Sequence, residues 1–354
     1  MFSQARAAGL PMLGGIDFYV ASMGRLVRAH FWAVNRSAQT PRSAGNDSVE
    51  DIQNAVSAAA GAATIVICPG FTEFCEKYSA VIERFHKSGH NVLIIDWPGQ
   101  GMSGHYGWHP LAVHCDDFAD YLDSLDAVID AAGLASRDLI LLGHSMGGHL
   151  ALRYAVRRPG YVLGVILTAP MMAPPVMPVW LIRAISAVLS KMGLRRSYLP
   201  FHRNYALDWV RHFRPENPLT RCPKGYESQF IWFDDLPELR RSGPTIGWVR
   251  AAYRSAALYT LNPEWLGAVT MPVMALVAGD ERVVFGPATD YALAKIPNVE
   301  RHDFADARHE LLHELPEVTT PLWTFMNGFI ERITRGYDDE LAPGPVPASP
   351  PSGP

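Results

Sequence analysis

The chain has 354 residues, a formal net charge of −4 and a 48% hydrophobic fraction, which is enough apolar sequence for a substantial core and excludes a chain disordered overall. The charge balance offers no basic face for nucleic acid. Four cysteines, Cys68, Cys75, Cys115 and Cys222, lack C-x-x-C spacing and disulfide density, so a reduced, cytoplasmic setting is expected. No continuous apolar stretch precedes Pro11-Met12, and no secretory signal is expected.

In chain order, residues 18–22, the turn Met23-Gly24 and residues 25–34 predict a hairpin that opens a sheet, with residues 1–35 assigned to it. Residues 36–62 lose apolar periodicity and predict a loose insertion in which residues 49–60 can form a short helix. Thr64-Ile65-Val66-Ile67-Cys68 is a β-rich apolar run of central-strand length, and Pro69-Gly70-Phe71-Thr72 is its exit loop. Residues 116–132 set Phe118, Leu122, Leu125 and Ile129 on one face of a helix. The six aspartates of that helix read as its solvated face rather than a metal site.

Residues 138–142 form a second apolar run, which leads directly into Gly143-His144-Ser145-Met146-Gly147-Gly148 and a helix-like stretch over 149–157. This is a G-x-S-x-G pattern in its strand-turn-helix context. The serine of such an elbow sits on a strained turn, and glycines flank it where a side chain would collide with neighbouring backbone. Residues 159–182 carry no charge, long enough to raise a membrane span. Prolines at 159, 170, 174, 175 and 178 break any single helix there, and residues 161–168 read instead as a buried strand.

From 170 to 266 the strand-helix alternation stops and proline-rich, aromatic sequence takes over. Between core segments 63–169 and 267–335 this stretch reads as a cap over the serine. Its helix at 179–192 is apolar around most of its circumference. Cap core, a wall for an acyl chain and a surface resting transiently on a membrane all remain open for it. Trp180, Tyr198, Phe201 and Trp248 are the candidate substrate-contacting aromatics.

Residues 272–277 predict a buried strand that ends at the acidic pair Asp280-Glu281. Residues 299–304 predict the last strand, followed by the loop 305–308 and His309. Serine, acid and histidine thus follow in the order expected for a nucleophile elbow, with Ser145 as nucleophile and His309 as base. The oxyanion donors would be the backbone NH of Met146, directly after the serine, and that of Phe71 in the exit loop. His309-Glu310-Leu311-Leu312-His313 also matches the zinc motif H-E-x-x-H, but Pro316 leaves little room for the helix that motif needs. No metal or cofactor is expected. Leu322, Phe325, Met326, Phe329 and Ile333 mark the apolar stripe of a final helix. The tail 336–354, rich in proline at its end, is expected to be disordered.

These separated motifs resemble the α/β-hydrolases of the bacterial lysophospholipase and monoacylglycerol lipase group. Residues 69–78 are similar to its H-G-x-x-E-x-x-x-R/K-Y oxyanion loop with Glu73, Lys77 and Tyr78 in register, although Pro69 stands where the family has histidine. Residues 96–103 are similar to its D-x-x-G-x-G-x-S turn, and residues 309–314 to its H-E-x-x-x-E ending. The stretches 217–220 and 244–248 resemble its cap segments. The resemblance implies an α/β-hydrolase fold, a mostly parallel central sheet with helices on both faces and an inserted cap. It implies a serine esterase acting on single-chain lipid esters, a lysophospholipid or a monoacylglycerol. Family members place the acid as D-x-V-V, which selects Glu281 and leaves Asp280 as the alternative. A proline-type aminopeptidase would need a carboxylate cluster in the cap, for which Asp234-Asp235 and Glu238 are the candidates. A non-catalytic binding protein on this fold is the remaining alternative.

Overall fold

Among the described residues ten strands form, of which the apolar runs at 64–68, 91–95 and 139–144 are buried on both faces, as central strands of a covered sheet are, while the strand at 299–304 is only half-buried. The ten are β1 (Ile16–Ser22), β2 (Arg25–Trp32), β3 (Thr64–Cys68), β4 (Asn91–Ile95), the two-residue β5 (Ala112–Val113), β6 (Leu139–His144), β7 (Val162–Thr168), the two-residue β8 (Gly243–Pro244), β9 (Val273–Ala278) and β10 (Val299–Phe304). The computed structural model describes residues 3–10, 14–34, 48–59, 61–135, 138–174, 179–198 and 211–341. Its main sheet has eight strands in the order β1-β2-β4-β3-β6-β7-β9-β10. The β1–β2 hairpin and the β2–β4 pair are antiparallel, and the other pairs are parallel. This is the mostly parallel α/β sheet that the sequence implies.

Side-chain alternation divides the core into two layers. Val66 and Leu141 point into one, with Phe118 at the cap of the helix Ala119–Ala131, with Leu122, Leu125 and Ile129 inside that helix and with Leu150 of the helix Met146–Arg157. Ile65, Ile67, Ile140 and Leu142 point into the other, against Phe85 of the helix Ser79–Lys87 and Leu322, Met326 and Phe329 of the final helix. Helices therefore cover both faces, as a parallel sheet requires. From β3 the chain turns outward to β4, then crosses back to β6 on the other side of β3. This reversal opens a crevice at the carboxyl ends of β3 and β6, where ligands bind on open α/β sheets.

Two differences from the sequence reading, at the N-terminus and in the final helix, have physical causes. The N-terminal segment was assigned wholly to the hairpin, yet Ser3–Ala7 is a short helix docked on the insertion helix Pro223–Asp235. The NH groups of Gln4 and Ala5 donate to Asp235 at 3.1 and 2.8 Å, and Ala5 is buried with Trp232 and Leu236. Within the loose region 36–62, the short helix that residues 49–60 allow is present as Val49–Ala58. A capping box between Ser48 and Asp51 starts it, and Ile52, Ala55 and Val56 anchor it in the core. The final helix, Pro316–Leu341, passes Gly336, where the disordered tail was expected to start. A helical glycine costs only about 1 kcal/mol, and the next proline is Pro343. The rest of the tail lies outside the described residues.

The insertion between β7 and β9 is woven into the core, because β8 pairs with β5 in the loop that follows β4. Among the described residues no helix is long and apolar enough to cross a membrane.

Candidate active site

Ser145 joins β6 to the helix Met146–Arg157 with φ 51° and ψ −120°. An L-residue held there costs about 1–3 kcal/mol and persists only where its surroundings over-determine it. They do so here. Ser145 NH donates to the Thr168 carbonyl at 3.1 Å, and its own carbonyl accepts from Gly148 at 3.0 Å and Met171 at 2.9 Å. A Cβ on Gly147 would stand 1.8 Å from the Cys68 carbonyl oxygen, and one on Gly143 would stand 2.6 Å from that of Gly147. Both elbow glycines are therefore demanded by close backbone approach. The register Cys68↔Gly143 sets the β3 exit loop beside the elbow.

That loop is held from both sides. Glu73 accepts from Gly70 NH, and Gln100 Oε1 accepts from Thr72 NH, with Thr72 itself at φ 65°. Among the described residues no acceptor takes the NH of Phe71, which lies between them, or that of Met146 at the start of the elbow helix. The D-x-x-G-x-G-x-S turn supports the loop from below: Asp96 accepts from Cys75 NH and Met102 NH, both at 2.8 Å, and Ser103 Oγ donates to the Asp96 carbonyl at 2.6 Å. The Phe71 ring packs on Trp248 of the insertion with ring centroids 4.4 Å apart, and Trp248 packs in turn on Phe118 at 5.5 Å.

His309 is buried, and its Nδ1 lies 2.9 and 3.0 Å from the two carboxylate oxygens of Glu281. Glu281 Oε1 also accepts from Val283 NH at 2.7 Å and Val284 NH at 3.1 Å. Burial works to raise this carboxyl, but the His309 contact and the two backbone donors hold it below its ordinary value. Asp280 faces elsewhere, accepting from Arg282 Nε at 2.8 Å and Arg308 Nε at 3.2 Å. The reason lies in the backbone. Asp280 NH is bound to the Ala307 carbonyl at 3.0 Å, and a Cβ on Gly279 would stand 2.4 Å from the Ala305 carbonyl oxygen. The docked turn aims neighbouring side chains to opposite sides.

The His309 ring stands 4.9 Å, centroid to centroid, from His144, the residue before Ser145. The Ser145 hydroxyl and the His309 imidazole share no hydrogen bond among the described residues, and hydrogen bonds between reacting groups often tighten only once substrate is bound. Beneath both lies a buried ionic chain. Lys77 Nζ bridges Glu73 at 2.7 Å and Glu310 at 2.8 Å, while Tyr78 OH donates to Glu73 at 2.6 Å. Burial would raise the Glu73 carboxyl, yet Lys77 and His144 hold it well below its ordinary value. The i,i+4 spacing of Glu73 and Lys77 was visible in the sequence. The link from Lys77 to Glu310, 233 positions away, was not.

Of the other candidates, Tyr198 hydrogen-bonds Ser242 Oγ at 2.7 Å and packs on His109. The Trp180 side chain and all of Phe201 lie outside the described residues. The H-E-x-x-H stretch is not helical as that motif requires. Leu311–His313 forms one 3-10 turn, Glu310 is tied to Lys77, and His313 Nε2 faces the Lys77 carbonyl at 3.2 Å. Of the three carboxylates considered for an amino-terminus site, two are engaged. Asp234 pairs with Arg211, and Asp235 takes the NH groups of Gln4 and Ala5.

Burial pushes His144 down to about 4 and His149 down to about 3. An unfolded chain binds these protons near pH 6.5. Between about pH 6.5 and 4 the unfolded state therefore holds more protons, and stability falls as pH falls. The expected result is a Tm that declines on acidification below about 6.5, with a shallower decline in His149→Gln. A slope that the substitution leaves unchanged would remove His149 from this account.

Residues 59–316 match the family described as serine aminopeptidase, S33. Lysophospholipase L2 of Escherichia coli strain K12 is 31% identical over 226 residues, 62% of this chain and 64% of that protein, so the match spans less than two thirds of the relative's length. A monoacylglycerol lipase of Mycolicibacterium smegmatis is 31% identical over 111 residues, 30% of this chain and 37% of that protein. A soluble variant of monoglyceride lipase from Saccharomyces cerevisiae, solved with a substrate analog, shares the fold with a TM-score of 0.65 at 16% identity, covering 92% of this chain and 96% of that one.

Proposed function

The chain belongs to the serine aminopeptidase S33 family of hydrolases, and from that premise we propose that it is a serine carboxylic-ester hydrolase of single-chain lipid esters, a lysophospholipid or a monoacylglycerol. The observation that carries the chemistry is the strained Ser145 elbow beside a His309 imidazole whose Nδ1 is held by Glu281 at 2.9 Å. With Nδ1 so engaged, Nε2 is the nitrogen left to take the Ser145 proton as the hydroxyl attacks the ester carbonyl. The NH groups of Phe71 and Met146 stabilise the resulting oxyanion. The protonated imidazole then gives its proton to the departing alcohol, leaving an acyl-enzyme, and water repeats the sequence to release the fatty acid.

The lipid class is supported by the names of the relatives and by an apolar cap around Phe71 and Trp248. Aminopeptidase action, the second reading, is favoured by the family's description. It needs a cluster of free carboxylates to hold the substrate ammonium, whereas Asp234 and Asp235 already have partners and Glu238 alone makes no cluster. Four free cysteines support a reducing, cytoplasmic setting.

The partner surface we assign to the cap is its exposed apolar stripe. Ile185, Val188 and Met192, spaced at i, i+3 and i+7, face outward with Lys191 beside them. Exposed Arg195, Arg196 and Trp108 adjoin, the Trp108 NH being bound to the Arg196 carbonyl at 3.0 Å. Apolar residues rimmed by cations and an interfacial aromatic suit a transient contact with an anionic membrane.

The test is one matched panel: lysophosphatidylcholine, monoacylglycerol, p-nitrophenyl esters from acetyl to dodecanoyl, and a prolyl amide, each with and without anionic vesicles. Burial of about 0.8 kcal/mol per methylene predicts a rise of roughly fourfold in kcat/KM for each added carbon until the pocket ends. Vesicles should raise the rate on the lipid esters. Preference for the prolyl amide would overturn the ester reading, a rate flat with chain length would remove the acyl site, and indifference to vesicles would remove the membrane contact.

A further inference from the structure

His309 sits in a stretch with little regular structure of its own: a turn follows β10, and one 3-10 turn, Leu311–His313, follows the histidine. What holds it comes largely from the insertion. Segment 217–221 runs alongside and bonds to both residues that bracket His309. Arg308 Nη1 donates to the Asn217 carbonyl at 2.7 Å, and Glu310 NH donates to the Leu219 carbonyl at 2.8 Å. Farther along, Thr220 Oγ1 donates to the His313 carbonyl at 3.0 Å, and Arg221 NH donates to Glu314 Oε1 at 2.9 Å. Glu314 Oε1 closes the frame by also accepting Arg308 NH at 3.1 Å.

The strap is shaped by one buried side chain. Asn217 Oδ1 accepts from Leu219 NH at 2.9 Å and Thr220 NH at 3.0 Å, while its Nδ2 donates to the carbonyls of Arg214 at 2.6 Å and Thr220 at 2.9 Å. The local turn is thus fully satisfied from within, which fixes where the carbonyls of Asn217 and Leu219 point. The buried Arg308 guanidinium carries the frame on to the acid, with Nε 3.2 Å from Asp280, the neighbour of Glu281. One polar chain, Asn217 to Arg308 to Asp280, therefore spans the two loops whose tips present His309 and Glu281.

We propose that Asn217 is a positioning residue for His309, and that through strap 217–221 the cap forms part of the frame that aligns the base with its acid. This rests on the reading of Ser145, His309 and Glu281 given above. A hydrogen bond weakens steeply as its angle opens, and a misplacement of about 1 Å costs on the order of a hundredfold in rate. A loosened strap should therefore show in kcat.

The test is the cycle of wild type, Asn217→Ala, Glu281→Gln and the double variant. It is measured on p-nitrophenyl acetate, whose short acyl group needs little of the cap, with active sites counted by fluorophosphonate titration. Asn217→Ala should lower kcat at least tenfold with KM within twofold. In the Glu281→Gln background the same change should cost less than about twofold, because the alignment it serves is already lost. A raised KM with kcat kept, or effects that multiply in the double variant, would overturn the inference. Should Asn217→Ala not fold, Arg308→Lys enters the same cycle, since the shorter, unforked side chain keeps its charge near Asp280 but loses the bond to the Asn217 carbonyl. If Glu281→Gln itself retains full activity, the underlying chemical reading fails instead.

Discussion

Ser145→Ala is expected to lower kcat on a lysophospholipid or monoacylglycerol by about a millionfold, the loss seen when a serine nucleophile is removed from such a set. The substitution takes away the attacking atom and leaves the two NH donors and the apolar cap in place. Substrate should still bind with similar KM, and a residual rate above that in water should remain from oxyanion stabilisation alone. Stability should change little. Alanine at φ 51° bears the same backbone strain as serine, and the bonds that lock the turn run through backbone atoms of residue 145. Steady-state kinetics with thermal unfolding of the same preparations checks both parts. A variant that keeps more than about one hundredth of the wild-type rate cannot be reconciled with nucleophilic attack by Ser145.

The acid gives the second large effect. Glu281→Gln preserves the size of the side chain but removes the charge that faces His309 Nδ1, and an amide can present its NH₂ there and favour the wrong imidazole tautomer. The comparable change in another serine triad lowers kcat about ten-thousandfold, and a loss of that order is expected here. Asp280→Asn should cost less than about tenfold. That carboxylate is partly exposed and pairs with Arg282 and Arg308, so it touches the imidazole only through the frame around it. Measuring kcat for both variants on one ester separates the neighbours. The reverse pattern would transfer the acid role to Asp280 and leave Ser145 as nucleophile.

These expectations rest on features that differ in how far the sequence carries them. The strands β3 and β6 were legible as unbroken apolar runs because a parallel strand covered on both faces has no polar side to show. The helices Ala119–Ala131 and Pro316–Leu341 were legible through the period of their buried residues. The elbow was legible because backbone contact excludes a Cβ at Gly143 and Gly147, so the constraint is written locally. The residues the sequence singles out, Phe71, Ser145, Glu281 and His309, stand in the structure just beyond the carboxyl ends of β3, β6, β9 and β10. Their roles are what the variants test.

Less was legible wherever the cause is a partner distant in sequence. The choice between Asp280 and Glu281 depends on how Gly279 docks against Ala305, which no local pattern encodes. Asn217 falls in a stretch that resembles a family cap segment, but its place beside His309 depends on distant partners, since Thr220 and Arg221 each bind an atom 93 positions away. The helix Ser3–Ala7 is too short to carry a period and is held by Asp235, 230 positions beyond Ala5. Burial of the ion chain through Glu73, Lys77 and Glu310 follows from the fold, since charged residues of this kind read as surface until their partners are known.

The most direct test of the central claim is peptide mapping by mass spectrometry after reaction with a fluorophosphonate. The account predicts one adduct per chain, on Ser145, formed in step with the loss of esterase activity and slowed in Glu281→Gln. An adduct on another residue, or equal labelling of Ser145→Ala, would contradict it.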